Sequence, residues 1–174
     1  MSEKEIYLAG GCYWGVEKYV SQIKGVISTR VGFANGNTTD PTYEQVKCGN
    51  TGHAETVKVV YDSRKLPLKV LLKLFYMIID PTLQDQQGGD IGHQYRTGIY
   101  YTSDEDAAVV QNSLQELQQQ TEGTVLVEAC LLQHFYDAEE YHQNYLDKNP
   151  GGYCHVPFEA IRWVAGIEPM EIED

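Results

Sequence analysis

The sequence predicts a mixed α/β (α+β) fold: a two-layer sandwich on a ferredoxin-like split βαβ core, followed by an irregular C-terminal extension. Three observations predict it. Apolar segments with strand and helix periodicities alternate, glycine-rich turns separate them, and no internal repeat or low-complexity linker interrupts them. A chain of 174 residues fits one domain and buries roughly 70% of its unfolded surface, so its core needs no disulfides. We therefore expect a single domain over residues 1–174, with a mobile C-terminal segment over about 148–174.

Local signals justify the elements of the first half in order. An apolar strand comes first, and two glycines separate it from an amphipathic helix that Gly25 ends. A second strand follows, and Asp40 and Pro41 then predict the start of a short helix, as an N-cap and a proline at the first helical position. The apolar residues of the third strand alternate with polar ones. The predicted elements are a strand over 5–9, a helix over 14–23, a strand over 26–34, a helix near 43–48 and a strand over 53–61.

The second half begins with a helix that has a broad apolar face and continues with a polar, glycine-rich loop. A strand, an exposed helix that Gly123 ends, another strand and a last helix follow, before residues 149–152 break regular structure. The predicted elements are a helix over 67–79, a loop over 80–92, a strand over 97–102, a helix over 104–120, a strand over 125–131, a helix over 137–146, and mostly loop over 157–174 with one helical turn around 158–163.

The charge of the chain excludes several classes of partner. It has 25 acidic and 13 basic residues, a formal net charge of −12. This charge disfavours nucleic acid and anionic membranes, because phosphate contacts need clustered lysine and arginine. The longest apolar stretch, residues 70–79, is too short to span a bilayer, and the N-terminus lacks the pattern of a signal peptide. The four cysteines form no C-x-x-C pair and no zinc-finger spacing, so we expect working thiols in a cytoplasmic protein.

Cys12 is the most informative residue of the sequence. It follows two glycines on a sharp strand-to-helix turn, where free backbone N–H groups and the helix dipole favour the thiolate. Tyr13 and Trp14 follow directly, which predicts an apolar, aromatic-walled site beside the sulfur. The alternative is a buried cysteine that acts only as a small hydrophobe.

Further polar side chains lie in loops or at strand ends. Glu55 is flanked by apolar or small residues, and a carboxyl group in an apolar site has a raised pKa and can act as a general acid. The alternative is an edge-strand glutamate that points to water. Tyr43 and Tyr95 lie beside glycine-rich loops, but packing explains most tyrosines. Asp90 lies in the polar loop, where solvent exposure is the simpler interpretation.

The remaining cysteines and two histidines raise further hypotheses. Two histidines and two cysteines could form a zinc site, but no close ligand pair anchors it: His134, His142, Cys130 and Cys154. Cys130 lies in an apolar strand, so burial is its default. Cys154 follows a glycine-rich break and therefore lies on a mobile segment, whereas the sequence leaves Cys48 undecided. His142 is either a surface residue or a residue that supports the site.

Taken together, these segments resemble the peptide methionine sulfoxide reductases of the A class. The family signature G-C-F-W-G corresponds to Gly-Cys-Tyr-Trp-Gly over residues 11–15. Other motifs follow in the family's order, over roughly residues 5–165, and several spaced motifs are far more specific than one. They are Thr42-Tyr43-Glu44, Thr51-Gly52-His53-Ala54-Glu55, Asp90-Ile91-Gly92-His93-Gln94-Tyr95-Arg96, Ala138-Glu139-Glu140-Tyr141-His142-Gln143 and Asn149-Pro150-Gly151-Gly152-Tyr153-Cys154.

The resemblance implies that Cys12 attacks the sulfur of the S epimer of methionine sulfoxide, free or in proteins. Glu55 would protonate the oxygen, which is otherwise a poor leaving group. Cys12 would be left as a sulfenic acid, which Cys154 would resolve as a disulfide, and thioredoxin would reduce that disulfide. This chemistry needs no metal or organic cofactor, and we expect a monomer.

The resemblance also implies the residues that bind the substrate. Tyr43 and Tyr95 would donate hydrogen bonds to the oxygen, Asp90 would shape the site, and the methyl pocket would be formed by Tyr13 and Trp14. Tyr13 replaces the family's usual phenylalanine. Its hydroxyl would therefore either make the pocket more polar or point to water.

Two alternatives stay open at the level of sequence. Cys48 is an extra thiol that could replace Cys154 as the resolving cysteine, although the mobile segment and the motif favour Cys154. The whole protein could also be a thiol peroxidase, or a redox sensor in which Cys12 and Cys154 form a switch disulfide.

Overall fold

The computed structural model of the protein describes residues 3–49 and 51–172. The strands are β1 (Glu3–Gly10), β2 (Val26–Ala34), β3 (Ala54–Asp62), β4 (Gln86–Gln87), β5 (Asp90–Ile91), β6 (Thr97–Tyr101), β7 (Glu128–Leu131) and β8 (Phe135–Asp137). The helices are α1 (Tyr13–Ser21), α2 (Tyr43–Lys47), α3 (Leu68–Tyr76), α4 (Asp104–Gln120), α5 (Tyr145–Lys148) and α6 (Phe158–Gly166), and short 3-10 helices cover His93–Tyr95, Glu140–His142 and Pro169–Glu171.

Six of the strands form one sheet in the order β7-β6-β1-β3-β2-β8. All neighbours are antiparallel except β6 and β7, which are parallel. The mixed α/β class is therefore confirmed. Because β1 and β3 occupy the middle of the sheet, residues at their ends come together from distant parts of the chain.

The main core lies between the sheet and the helices that pack against it. Its largest fully buried members come from β1, α1, β2, β3 and α3, and they include Ile6, Leu8, Tyr13, Tyr19, Phe33, Tyr61, Leu71 and Phe75. Tyr19 donates a hydrogen bond to the carbonyl of Leu74 at 2.7 Å, which ties α1 to α3. Within residues 3–49 and 51–172, no helix is long and apolar enough to cross a membrane.

The predicted helix over 137–146 is wrong. The side chain of Gln143 replaces helical bonds in this segment, since its Oε1 accepts from the backbone N–H of Val31 at 2.8 Å and its amide donates to the carbonyls of Val31 and Ala138. Asn144 then adopts a left-handed conformation with φ of 52°. Only a short 3-10 turn and the four-residue α5 form there.

Three other predictions need correction. Helix α2 begins after Thr42, whose side chain forms a capping box with Gln45, and not after Asp40. The predicted loop over 80–92 contains the small β4–β5 hairpin. The predicted loop over 157–174 contains the nine-residue helix α6, which is anchored in the core by the fully buried Val164.

Candidate active site

Cys12 lies at the turn between β1 and α1, as its position in the sequence predicts. It is the N-cap residue of α1, and it is 7% exposed. Gly11 has a φ of 91°, and a Cβ atom at this position would lie 2.7 Å from the Cβ of Gln87. A side chain at residue 11 has no room, so the glycine permits the turn that brings the sulfur to the end of β1.

Glu55 is the buried carboxyl group of this site. It lies on β3, between β1 and β2, and is 1% exposed, so the interpretation as an edge-strand glutamate that points to water is wrong. Its Oε1 accepts a hydrogen bond from the backbone N–H of Tyr13 at 3.2 Å, directly after Cys12. Burial raises the pKa of Glu55 to about 8, against the opposing effect of the Tyr13 amide. Glu55 is therefore mostly protonated at neutral pH.

Two phenols and a second carboxyl group share this environment. Tyr43 is the first residue of α2, and Tyr95 ends the 3-10 helix before β6. Burial raises the pKa of both phenols, Glu55 raises it further, and Cys12 also contributes. The charge of Asp90 on β5 raises the pKa of Glu55 and of Tyr95. The structure thus brings these five predicted residues into one electrostatic cluster.

Aromatic rings surround the two residues after Cys12. The Tyr13 ring is fully buried, and its centroid lies 5.7 Å from that of His142. Trp14 stacks on Tyr145 with a centroid distance of 3.8 Å and an interplanar angle of 11°. The indole N–H of Trp14 donates to Nδ1 of His142 at 3.1 Å. These contacts hold the indole in one orientation beside the cysteine.

The surroundings of Cys12 raise the pKa of its thiol. Burial raises its pKa, and the charge of Glu55 adds to the rise, while the backbone amides of Trp14 and Gly15 lower it in part. The amides at the helix start act in the direction that the sequence predicts, but desolvation raises the pKa of Cys12 by more than these amides lower it. A buried thiol and a buried carboxyl group therefore share this site, and burial raises the pKa of both.

Comparison with known proteins agrees with this arrangement. The sequence model of the family described as peptide methionine sulfoxide reductase matches residues 4–165.

The chain belongs to the peptide methionine sulfoxide reductase family.

Relatives of this reductase support the assignment over most of its length. The peptide methionine sulfoxide reductase MsrA of Lachnoclostridium phytofermentans is 58% identical over 153 residues, which are 88% of this chain and 92% of that protein. The crystal structure of Mxr1 from Saccharomyces cerevisiae in reduced form matches with a TM-score of 0.84 and 37% identity, over 88% of this chain and 89% of that one. A structure of Mxr1 in complex with Trx2 matches with a TM-score of 0.61 and 26% identity, over 83% of this chain and 85% of that one.

Cys154 of the reductase lies against the first turn of α1. A Cβ atom built on Gly15 would lie 3.2 Å from its Sγ, so the thiol touches the helix that Cys12 begins. The thiol is half-buried and donates a hydrogen bond to the carbonyl of Val156 at 3.3 Å. Glycine at residue 15 leaves the space that this thiol needs. On its other side Cys154 borders an open cavity lined also by Lys18, Leu146, Pro150, Val156, Phe158 and Ile161.

The other two cysteines of the reductase lie elsewhere. Cys48 is the exposed C-cap residue of α2, beside a surface depression lined by Thr38, Thr39, Gln45 and Thr51. Cys130 is half-buried on β7, and its Sγ accepts a hydrogen bond from the amide of Asn35 at 3.5 Å. In the part of the chain that the structure describes, no three His, Cys, Asp or Glu side chains are grouped so as to hold a metal ion.

The hydroxyl of Tyr13 is buried and has no hydrogen-bond partner among the described residues. It therefore does not point to water. Replacing Tyr13 with phenylalanine, the family's usual residue, is expected to raise the free energy of unfolding by about 1 kcal/mol, since it removes an unpaired buried hydroxyl. Urea denaturation of both proteins measures the difference.

Tyr19→Phe is the matched control for this substitution. The hydroxyl of Tyr19 is buried but donates to the carbonyl of Leu74, so its removal is expected to lower stability by about 1 kcal/mol. A fall in stability for both variants would show that the Tyr13 hydroxyl is bonded after all.

Sequence reasoning missed several residues that build the site of the reductase. Glu139 accepts a hydrogen bond from the backbone N–H of Tyr43 at 3.1 Å, and Tyr145 stacks on Trp14. Tyr153 donates its hydroxyl to Asp90 at 2.8 Å, so the segment that carries Cys154 is joined to the acidic side of the site. Only the motifs over residues 138–143 and 149–154 pointed to these segments.

Proposed function

We propose that this protein reduces the S epimer of methionine sulfoxide, free or in proteins, to methionine. The observation that carries the proposal is Glu55, a fully buried carboxylic acid whose partner is the amide next to Cys12. Its pKa of about 8 keeps a proton available at neutral pH. An attack on sulfur needs such a proton, because the sulfoxide oxygen becomes a leaving group only when it is protonated.

The first step transfers the oxygen atom from the substrate to Cys12. The sulfur of Cys12 attacks the sulfoxide sulfur while Glu55 protonates the oxygen, and the proton of Cys12 passes to Glu55 and restores the acid. The S–O bond of the substrate breaks, the oxygen ends on the sulfur of Cys12 as a hydroxyl group, and the bond between the two sulfurs is released. The products are methionine and the sulfenic acid of Cys12. The phenols of Tyr43 and Tyr95 stabilise the oxygen in the transition state, because both lie in the electrostatic environment of Glu55 and Cys12.

The chirality of the substrate is recognised at three points. Its methyl group packs against the partly exposed Trp14, with the buried Tyr13 ring supporting the pocket from the core. Its oxygen faces Glu55 and its sulfur faces Cys12, with Asp90 shaping the far side. Only one epimer satisfies all three contacts at once. The S form is the one that the family's A class reduces, since each epimer has its own enzyme.

Cys154 resolves the sulfenic acid as a disulfide. Its contact with Gly15, on the helix that Cys12 begins, supports Cys154 over the exposed Cys48. Both thiols are free in this structure, so Cys154 has to move toward Cys12 for the disulfide to form. Thioredoxin then reduces the disulfide, a proposal supported by the Mxr1 complex with Trx2 and by the open cavity that reaches Cys154.

Replacing Cys154 with serine is expected to leave one methionine per enzyme and to stop turnover with thioredoxin. The attack on the substrate does not involve Cys154, so the first turnover keeps its rate. Quenched-flow measurement of methionine, followed by steady-state assays with thioredoxin, checks both parts. Cys48→Ser is the matched control and should cycle normally; full cycling of Cys154→Ser would remove Cys154 from the mechanism.

The function itself is tested with a reductant that needs no protein partner. Dithiothreitol and a peptide with either epimer of methionine sulfoxide are supplied, and methionine is measured by mass spectrometry. Methionine should form from the S epimer and not from the R epimer. No product from the S epimer would overturn the proposal, and rapid consumption of hydrogen peroxide in its place would support a peroxidase.

A further inference from the structure

His155 follows Cys154, and its ring lies between the β1–α1 turn and the β4–β5 hairpin. Its Nε2 lies 2.9 Å from the carbonyl oxygen of Gly10. A carbonyl oxygen only accepts, so Nε2 carries the proton and Nδ1 carries a free lone pair. Nδ1 is buried and has no hydrogen-bond partner among residues 3–49 and 51–172. A buried, unpaired acceptor of this kind is uncommon and calls for an explanation.

The free nitrogen and the thiol of Cys154 face the same point of α1. A Cβ atom built on Gly15 would lie 3.0 Å from Nδ1 of His155 and 3.2 Å from Sγ of Cys154. Both groups therefore occupy the space that the missing side chain leaves. This space lies beside Gly15, about one helical turn from Cys12 on α1.

We propose that His155 is the base that takes the proton from Cys154 as this thiol attacks the sulfenic acid of Cys12. The inference rests on the proposed function, in which Cys154 is the resolving cysteine. The bond between the two sulfurs forms and the S–O bond of the sulfenic acid breaks. The sulfur of Cys154 is oxidised and that of Cys12 is reduced. The proton passes from Sγ to Nδ1 and then to the departing hydroxide, so the products are a disulfide and water.

The electrostatics of the two side chains fit these roles. Burial raises the pKa of Cys154, so the thiol needs a base, although the backbone of Val156 lowers this pKa in part. Burial lowers the pKa of His155, so its ring is neutral at pH 7 and can accept a proton. The Gly10 carbonyl and the charge of Asp90 on the hairpin both oppose this lowering and would stabilise the imidazolium once it forms.

Replacing His155 with glutamine tests the role of Nδ1 alone. The glutamine amide can still donate to the Gly10 carbonyl, but it offers no nitrogen base. In a single turnover without reductant, methionine should form at the wild-type rate. The Cys12–Cys154 disulfide, followed by alkylation of free thiols and intact mass, should form about 100-fold more slowly at pH 7, as expected for the loss of a general base. The deficit should shrink above pH 9, where hydroxide replaces the base.

Equal rates of disulfide formation in both proteins would overturn the proposal. If His155→Gln fails to fold, the pH profile of the wild-type protein decides. With a histidine base the rate of disulfide formation should be flat between about pH 7 and 8.5, whereas a tenfold rise per pH unit would mean that hydroxide removes the proton. Failure of the proposed function would give different results from failure of this inference. Either no methionine would form, or Cys154→Ser would form as much disulfide as the wild-type protein.

Discussion

Replacing Cys12 with serine is expected to reduce methionine formation by at least about 10³-fold, both in a single turnover and with any reductant. A serine hydroxyl is a far weaker nucleophile than a cysteine sulfur, and it cannot accept the oxygen atom as a stable sulfenic acid. The fold should survive, because serine is a favourable N-cap residue and Cys12 occupies that position of α1. Quenched-flow measurement of methionine checks the rate.

Cys48→Ser controls for the loss of a thiol, since Cys48 is exposed and lies outside the site. It should keep the wild-type rate. If Cys12→Ser still produced methionine at about a tenth of the wild-type rate, another cysteine would be the nucleophile. The role of Cys12 in the proposed mechanism would then be wrong.

Replacing Glu55 with glutamine is expected to slow the first turnover by about 10²- to 10³-fold while substrate affinity changes little. The amide has nearly the same shape, and its oxygen can still accept from the Tyr13 N–H, but it has no proton to give to the sulfoxide oxygen. The single-turnover rate at saturating substrate, and the substrate concentration at half saturation, separate the two effects.

The matched control is Glu17→Gln on α1. Glu17 is also a buried carboxyl group with a raised pKa, but it accepts from Thr29 and from the backbone N–H of Asn144, away from Cys12. Its substitution should leave the first turnover unchanged. An unchanged rate in Glu55→Gln would remove Glu55 from the mechanism.

The pH dependence of the first turnover has a definite sign. Burial raises the pKa of Glu55 to about 8, so the acid is protonated below that pH and ionised above it. The single-turnover rate of the wild-type protein should therefore fall as the pH rises through about 8. Glu55→Gln should lack this fall, because glutamine does not titrate.

Elements whose signals are local could be predicted from the sequence. Helix α4 has the predicted bounds because Ser103 caps its first turn through the backbone N–H of Asp106, and the alternation in β3 matches its buried face. The helix over 137–146 could not be rejected, because the bonds that replace it join Gln143 to Val31, more than one hundred positions earlier. Propensity carries no information about such a partner.

The residues of the site also differ in whether their signals are local or depend on distant parts of the chain. Cys12 stands out locally through the glycine turn, so the sequence was enough to find it. Glu55 was ambiguous because its environment depends on strand order, which places β3 between β1 and β2. No local signal around His155 predicts its contacts with Gly10 and Gly15, because these glycines lie near the other end of the chain.

The burial of Cys12 also determines which molecules do not react with it. Cys12 is 7% exposed and burial raises the pKa of its thiol, so it is a poor target for alkylating agents and diffusible oxidants. The exposed Cys48 meets such reagents first. Burial therefore makes the reactivity of Cys12 selective. The thiol reacts poorly with electrophiles in solution, but it can react with a sulfoxide that enters the pocket, because Glu55 can protonate the oxygen of that sulfoxide.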